Sequence, residues 1–208
     1  MLSAAKQTLE RSSPAVASQK APTRPVARLN ARISAYLVDS VILFAFILVF
    51  FVIAGLQVLA TTDWGQDDPS DASLAAFIAI LSGGTLLSWT VFNMVLMRWR
   101  GQTAGKYVIG IRTVAEDGPT LTTQRALLRW FGLHPLLFHP LLLPVWGILS
   151  LLVVSLTLSQ IVLVVTVALL LLCLVSPAAS LVSIALDTER RALHDRLAGT
   201  FVVHLEQP

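Results

Sequence analysis

WFGLHPLLFHPLLLPVWGILSLLVVSLTLSQIVLVVTVALLLLCLVSPAASLVSIAL, residues 130–186, runs for 57 positions without an Asp, Glu, Lys or Arg. As one helix it would reach roughly 85 Å at 1.5 Å per residue, far more than a bilayer core about 30 Å thick. The tract has to fold back on itself, and its most polar stretch, residues 155–160 (SLTLSQ), is the natural turn. Two further apolar runs, residues 33–59 and 74–97, are each long enough for one crossing. The expected architecture is an all-α membrane protein, a four-helix transmembrane bundle with helices at about 33–59, 74–97, 133–154 and 160–186.

Composition agrees: of 208 residues, 55% are hydrophobic and 13% charged, about half the charged fraction of a soluble domain. The lone Cys173 lies in an apolar run and reads as packing. Residues 1–27 carry Lys, Arg, Ser and Pro with no apolar leader core, so a disordered N-terminal arm is expected ahead of a membrane domain at 28–205.

Charge tests the fold-back independently, because short cytoplasmic loops accumulate Lys and Arg. The 15 basic residues fall in three groups: six up to Arg32, six from Arg98 to Arg129, and three from Arg190 to Arg196. Residues 60–73 have none and carry Asp63, Asp67, Asp68 and Asp71, which places that loop outside. With the middle and last basic groups both inside, an even number of crossings separates them, and both termini are cytoplasmic. The alternative is one long span after an interfacial stretch broken at His134-Pro135, His139-Pro140 and Pro144, with the last basic group outside.

The cytoplasmic segment 98–132 carries local signals. Residues 107–114 (YVIGIRTV) read as a strand, 116–119 (EDGP) as a turn, and Thr122 or Thr123 as the cap of a short interfacial helix. On that helix Arg125 and Arg129 share one side, suited to lipid headgroups, opposite Leu127, Leu128 and Phe131. Residues 201–205 (FVVHL) read as a strand pairing with 108–113, which would bring Asp195 near Lys106 and close a small two-stranded element.

A carboxylate within a spanning helix needs a partner or a pathway, and Asp39 is such a group. Arg32 lies seven residues earlier on the same helix face. Asn93 sits at a similar depth below Arg98, and His139 completes an expected cluster. Other chemistries fail. Residues 101–106 (GQTAGK) have one residue too few between the glycines for a phosphate loop, and Tyr107 stands where Ser or Thr should hold magnesium. His134, His139, His194 and His204 lack metal-ligand spacing, adjacent His194 and Asp195 diverge on a helix, and no nucleophile elbow occurs. No enzyme, metal or cofactor is expected, and orientation across the bilayer explains the basic residues without nucleic acid.

The sequences RISAYLVD (32–39), GQTAGK (101–106) and RALHDRLAGT (191–200), in this order around hydrophobic helices, resemble the RDD family of bacterial membrane proteins, named for one Arg and two Asp. The resemblance spans about residues 28–204. It implies that Arg32 is the family's Arg, that Asp39 and Asp195 are its acids, and that Gly101, Thr103, Gly105, His194, Gly199 and Thr200 belong to motif turns. It further implies a multi-pass protein of the bacterial plasma membrane, in a family whose role is mostly unassigned and some of whose members exchange cations for protons. Two functions follow as expectations. In one, an oligomer exchanges protons for small monovalent cations through Asp39, with Arg32 or Lys106 as the displaceable counter-charge. In the other, the chain is an accessory or scaffold subunit whose polar cluster (Arg32, Asp39, Asn93, Lys106, Asp195) fixes helix packing. The partners expected are the lipid bilayer, further copies of the chain, or another membrane protein.

Overall fold

A computed structural model describes residues 25–118 and 120–205. The chain runs α1 (Leu29–Thr61), α2 (Asp71–Arg100), α3 (Ala104–Ile109), β1 (Ile111–Ala115), α4 (Thr123–Phe131), α5 (Leu143–Thr157), α6 (Gln160–Leu186), α7 (Leu193–Leu197) and β2 (Thr200–His204). A 3₁₀ turn, Pro140–Leu142, leads into α5, and α2 contains a π-helical turn at Ala79–Gly84. The helices α1, α2, α5 with its leading turn, and α6 are long and apolar enough to cross a membrane. They form a bundle in which α1 packs on α2 and α5 packs on α6.

The long apolar tract folds back where its polarity peaks. Helix α5 ends at Thr157, Leu158 takes a left-handed conformation, and Ser159 caps α6 by accepting the Val162 N–H. The single-span alternative is thereby overturned. The third crossing starts at Pro140 rather than near residue 133, because the two His-Pro steps disfavour helix before each proline. Residues 132–139 form a buried loop instead, which is tolerable in an apolar surrounding only if its carbonyls are satisfied. Leu136 O accepts from Trp89 Nε1 at 2.8 Å, Leu137 O from Trp146 Nε1 at 3.4 Å, and Leu133 O from Ser176 Oγ at 2.9 Å. Trp89 and Trp130 are fully buried in the same core as Leu43, Leu142 and Cys173.

The polar segments gather at one end of the bundle. Strands β1 and β2 pair antiparallel, with Thr113 opposite Val202, so the middle and last basic groups share one side of the membrane. The expected strand at 107–114 begins later: Thr103 caps α3 by accepting the Lys106 N–H, and residues up to Ile109 stay helical until Gly110 turns the chain with φ of 73°. Pro25 to Ala27 lie against β2. Val26 bridges to Val203, and Ala27 N–H donates to Val202 O at 2.8 Å. Residues 1–24 lie outside the described residues.

Candidate functional site

The site is built around two carboxylates, held in different ways. Asp39, almost three turns into α1, is 2% exposed. Its Oδ2 accepts the Thr103 hydroxyl at 2.6 Å and its Oδ1 accepts the Gly105 N–H at 2.7 Å. Two motif residues thus meet the intramembrane acid directly, and together these bonds seat α3 on α1. Gly105 is required by close approach: a Cβ there would stand 2.0 Å from Ala35 O and 2.8 Å from the Asp39 carboxyl carbon. Gly101 ends α2 with φ of 66°, in the left-handed region where glycine is least strained.

Asp195, on α7, is the hub that sequence spacing does not reveal. Its Oδ2 accepts from Arg32 Nη1 at 2.8 Å and from the Ala192 N–H at 3.1 Å, while its Oδ1 accepts from Arg129 Nη1. Arg129 also donates to Thr200 Oγ1 at 2.8 Å. One carboxylate therefore ties α1, α4 and α7 together, and Arg129 extends the tie to β2. Burial by itself would raise the Asp195 pKa, but Arg129, then His194 and Arg32, hold it below the usual carboxylate range. The Arg129 pKa is lowered as well, by burial and by Arg32 against the pull of Asp195.

Two expectations change here. Arg32 is not the partner of Asp39: it bonds Asp195, and its Nε donates to Ala27 O at 3.4 Å. Arg129 is not a headgroup contact, since only 1% of it is exposed. Arg125 is paired with Asp117. Leu127, Leu128 and Phe131 on the same helix are exposed, as an interfacial helix requires. The misreading has a simple cause: sequence alone cannot say which polar face of a short helix another element will cover.

Asn93 is fully buried and donates to Trp89 O of its own helix at 2.9 Å, not to Asp39. His139 meets α1 one position along from Asp39: its Nδ1 accepts the Leu141 N–H at 3.1 Å, so its Nε2–H donates to Ser40 Oγ at 2.8 Å, and its ring stacks on Tyr36. Burial pushes its pKa down to about 4. Lys106 Nζ donates to Thr113 Oγ1 at 3.2 Å, and burial, then Arg129, lowers its pKa well below the usual value. His134 and His194 were not assigned to this cluster from sequence, yet their rings lie 4.6 Å apart beside it. Burial lowers both pKa values well below the ordinary histidine range. His194 Nε2 stands 3.6 Å from Asp195 Oδ1, outside hydrogen-bond range. Gly199, with φ of 57°, turns the chain into β2 and accepts the Glu116 N–H at 3.0 Å.

Arg32, Asp39, Lys106, Arg129, His134 and His194 all face one cavity of about 150 Å³ between α1 and α6. No curated protein and no solved structure matches the chain. The model of the RDD family matches residues 26–199, a span that contains the Arg32–Asp195–Arg129 tie and the Asp39–Thr103–Gly105 contact. A multi-pass membrane protein by its four apolar helices, the chain belongs to the RDD family.

Proposed function

We propose that this protein is a non-catalytic scaffold or accessory subunit of the bacterial plasma membrane, its polar end cytoplasmic, in which the Arg/Asp cluster braces the cap against the bundle. One observation carries this reading: every carboxylate oxygen of Asp39 and Asp195 already accepts a donor from the chain. A cation carried there would have to share those oxygens with the donors that seat α3 on α1, or displace them. The guanidinium groups of Arg32 and Arg129 beside the same cavity further disfavour a cation there. The basic residues of all three groups set the orientation by the positive-inside tendency.

Proton-coupled cation exchange by an oligomer is the second reading, favoured by one feature of α2. Ser82, Thr85 and Asn93 line its buried face, the first within the π-helical turn, and Ser82 Oγ, Thr85 Oγ1 and Asn93 Oδ1 lack hydrogen-bond partners among the described residues. Such a file could hold water. The full chain reconstituted in sealed vesicles decides between the readings. Bracing predicts no cation-dependent proton movement across a series of monovalent cations. Flux that Asp39→Asn abolishes, in a variant that inserts and folds normally, would overturn it.

A further inference from the structure

The cavity beside the cluster has a charged floor and an apolar wall. Arg32 and Arg129 share the single carboxylate Asp195, and a protonated Lys106 has no salt bridge among the described residues, only the Thr113 hydroxyl. An uncompensated buried cation is costly, so the arrangement calls for a further negative group. The unsatisfied atoms have the matching character. Arg32 Nη2, Arg129 Nε and His134 Nε2 are buried without a partner among the described residues. His134 Nδ1 accepts the Leu136 N–H at 3.2 Å, so in the neutral ring Nε2 carries the hydrogen. All three are donors. Arg129 and His134 are 1% and 3% exposed, so neither is simply hydrated at a surface.

The apolar part of the lining includes Ile33, Pro177, Leu181 and Ile184. Ile33 and Leu181 are 37% and 41% exposed on the outer surface of the spanning helices, so the cavity reaches the face that lipid covers. Its volume of about 150 Å³ is comparable to cavities that admit a benzene-sized ligand. That suits a headgroup but not acyl chains, which would lie against the exposed side chains outside. A free anion would use the donors and leave the apolar wall bare.

We propose that this cavity binds the headgroup of an anionic phospholipid, the phosphate seated against Lys106, Arg129 and Arg32 and the chains leaving past Leu181. Basic pockets between spanning helices recognise lipid headgroups through this combination of charge and apolar exit. This goes beyond the bracing reading and does not depend on it, because the donors concerned are those the braces leave unused.

The test is lipid binding to the purified full chain in neutral detergent, read by native mass spectrometry and by thermal unfolding. Phosphatidylglycerol is expected to bind and stabilise, and phosphatidylcholine to do so much less. Lys106→Gln should weaken phosphatidylglycerol at least about tenfold, the loss of one charge-assisted hydrogen bond. Leu181→Trp, which blocks the exit without touching the Asp195 tie, should abolish the selectivity while leaving lipid-free unfolding near wild type. Arg100→Gln, on the exposed end of α2, should change nothing. Equal binding of the two lipids overturns the proposal, as does retained selectivity in Leu181→Trp. An Arg100→Gln loss equal to that of Lys106→Gln would reveal diffuse surface attraction instead. Inorganic phosphate that stabilises as well as the lipid would make the site one for a free anion, and the lipid assignment would fall.

Discussion

Replacing Asp195 by Asn should damage the fold more than replacing Asp39, although only Asp39 lies inside a spanning helix. Asp195 is fully buried between guanidinium groups whose side chains are 1% exposed, for Arg129, and 9% exposed, for Arg32. Removing one member of a buried pair costs about 3–5 kcal/mol, because the remaining charge is stranded. Here two are stranded. The partial exposure of Arg32 discounts its share, and the amide oxygen of Asp195→Asn could still accept one bond, so about 4 kcal/mol is expected from the same range. That is a large part of a total stability of about 5–15 kcal/mol. Asp39→Asn strands no ion pair. The new amide oxygen can accept the Gly105 N–H and its nitrogen can donate to Thr103 Oγ1, so two charge-assisted bonds become neutral ones, at about 2 kcal/mol in all. Reversible unfolding in mixed detergent micelles, followed by tryptophan fluorescence, measures both. The companion variant Arg32→Met, Arg129→Met, Asp195→Leu removes all three charges and should recover much of the loss, since an apolar replacement of a buried ion network is often near neutral. An Asp39→Asn penalty equal to or larger than that of Asp195→Asn would refute the assignment of Asp195 as hub, as would a triple variant no more stable than the single one.

Gly105→Ala should cost more than about 3 kcal/mol, the upper range for an overpacked core, because its Cβ meets backbone at 2.0 Å and α3 must leave α1; the same unfolding assay checks it. His139, held near 4 by burial against about 6.5 when unfolded, lets the unfolded chain bind more protons between those values. Its contribution is complete above about pH 6.5 and is lost as pH falls toward 4. His139→Gln, which can still bond Ser40, should therefore flatten that part of a stability–pH curve, while His134 and His194, shifted in the same direction, keep the remainder. A cysteine pair replacing Thr113 and Val202, opposite each other in the β1–β2 ladder, should form a disulfide on mild oxidation; failure to crosslink in folded protein would argue against the shared side of the two basic segments. A cysteine in place of Asp68 should react with a membrane-impermeant thiol reagent added outside intact cells, one in place of Arg98 should not, and the reverse pattern would invert the orientation.

The two braces connect α1 to both the middle and the last polar segments. Arg32 and Asp39 leave the same helix seven residues apart and reach different partners, Asp195 from the last segment and Thr103 with Gly105 from the middle one. A change at either point should therefore be felt by the β1–β2 layer as well as by the helices, since Ala27, next to this region, bonds β2 directly.

Sequence by itself determined the membrane class, the four crossings, the hairpin near residue 158 and the pairing of the two strands. These follow from one-dimensional quantities: hydrophobic length measured against the bilayer, the distribution of Lys and Arg, and the alternation of β-branched residues. It also singled out Asp39 and Asp195, and the glycine-containing turns beside them. Tertiary structure alone decided who pairs with whom. Arg32 passes over the acid on its own helix for one 163 positions away. Arg129, on the polar side of an amphipathic helix, is covered by α7 rather than by water. A loop of His-Pro steps displaces the start of the third crossing. In each case the outcome depends on which elements enclose a polar group and exclude solvent, and enclosure is a property of packing in three dimensions that no spacing along the chain records.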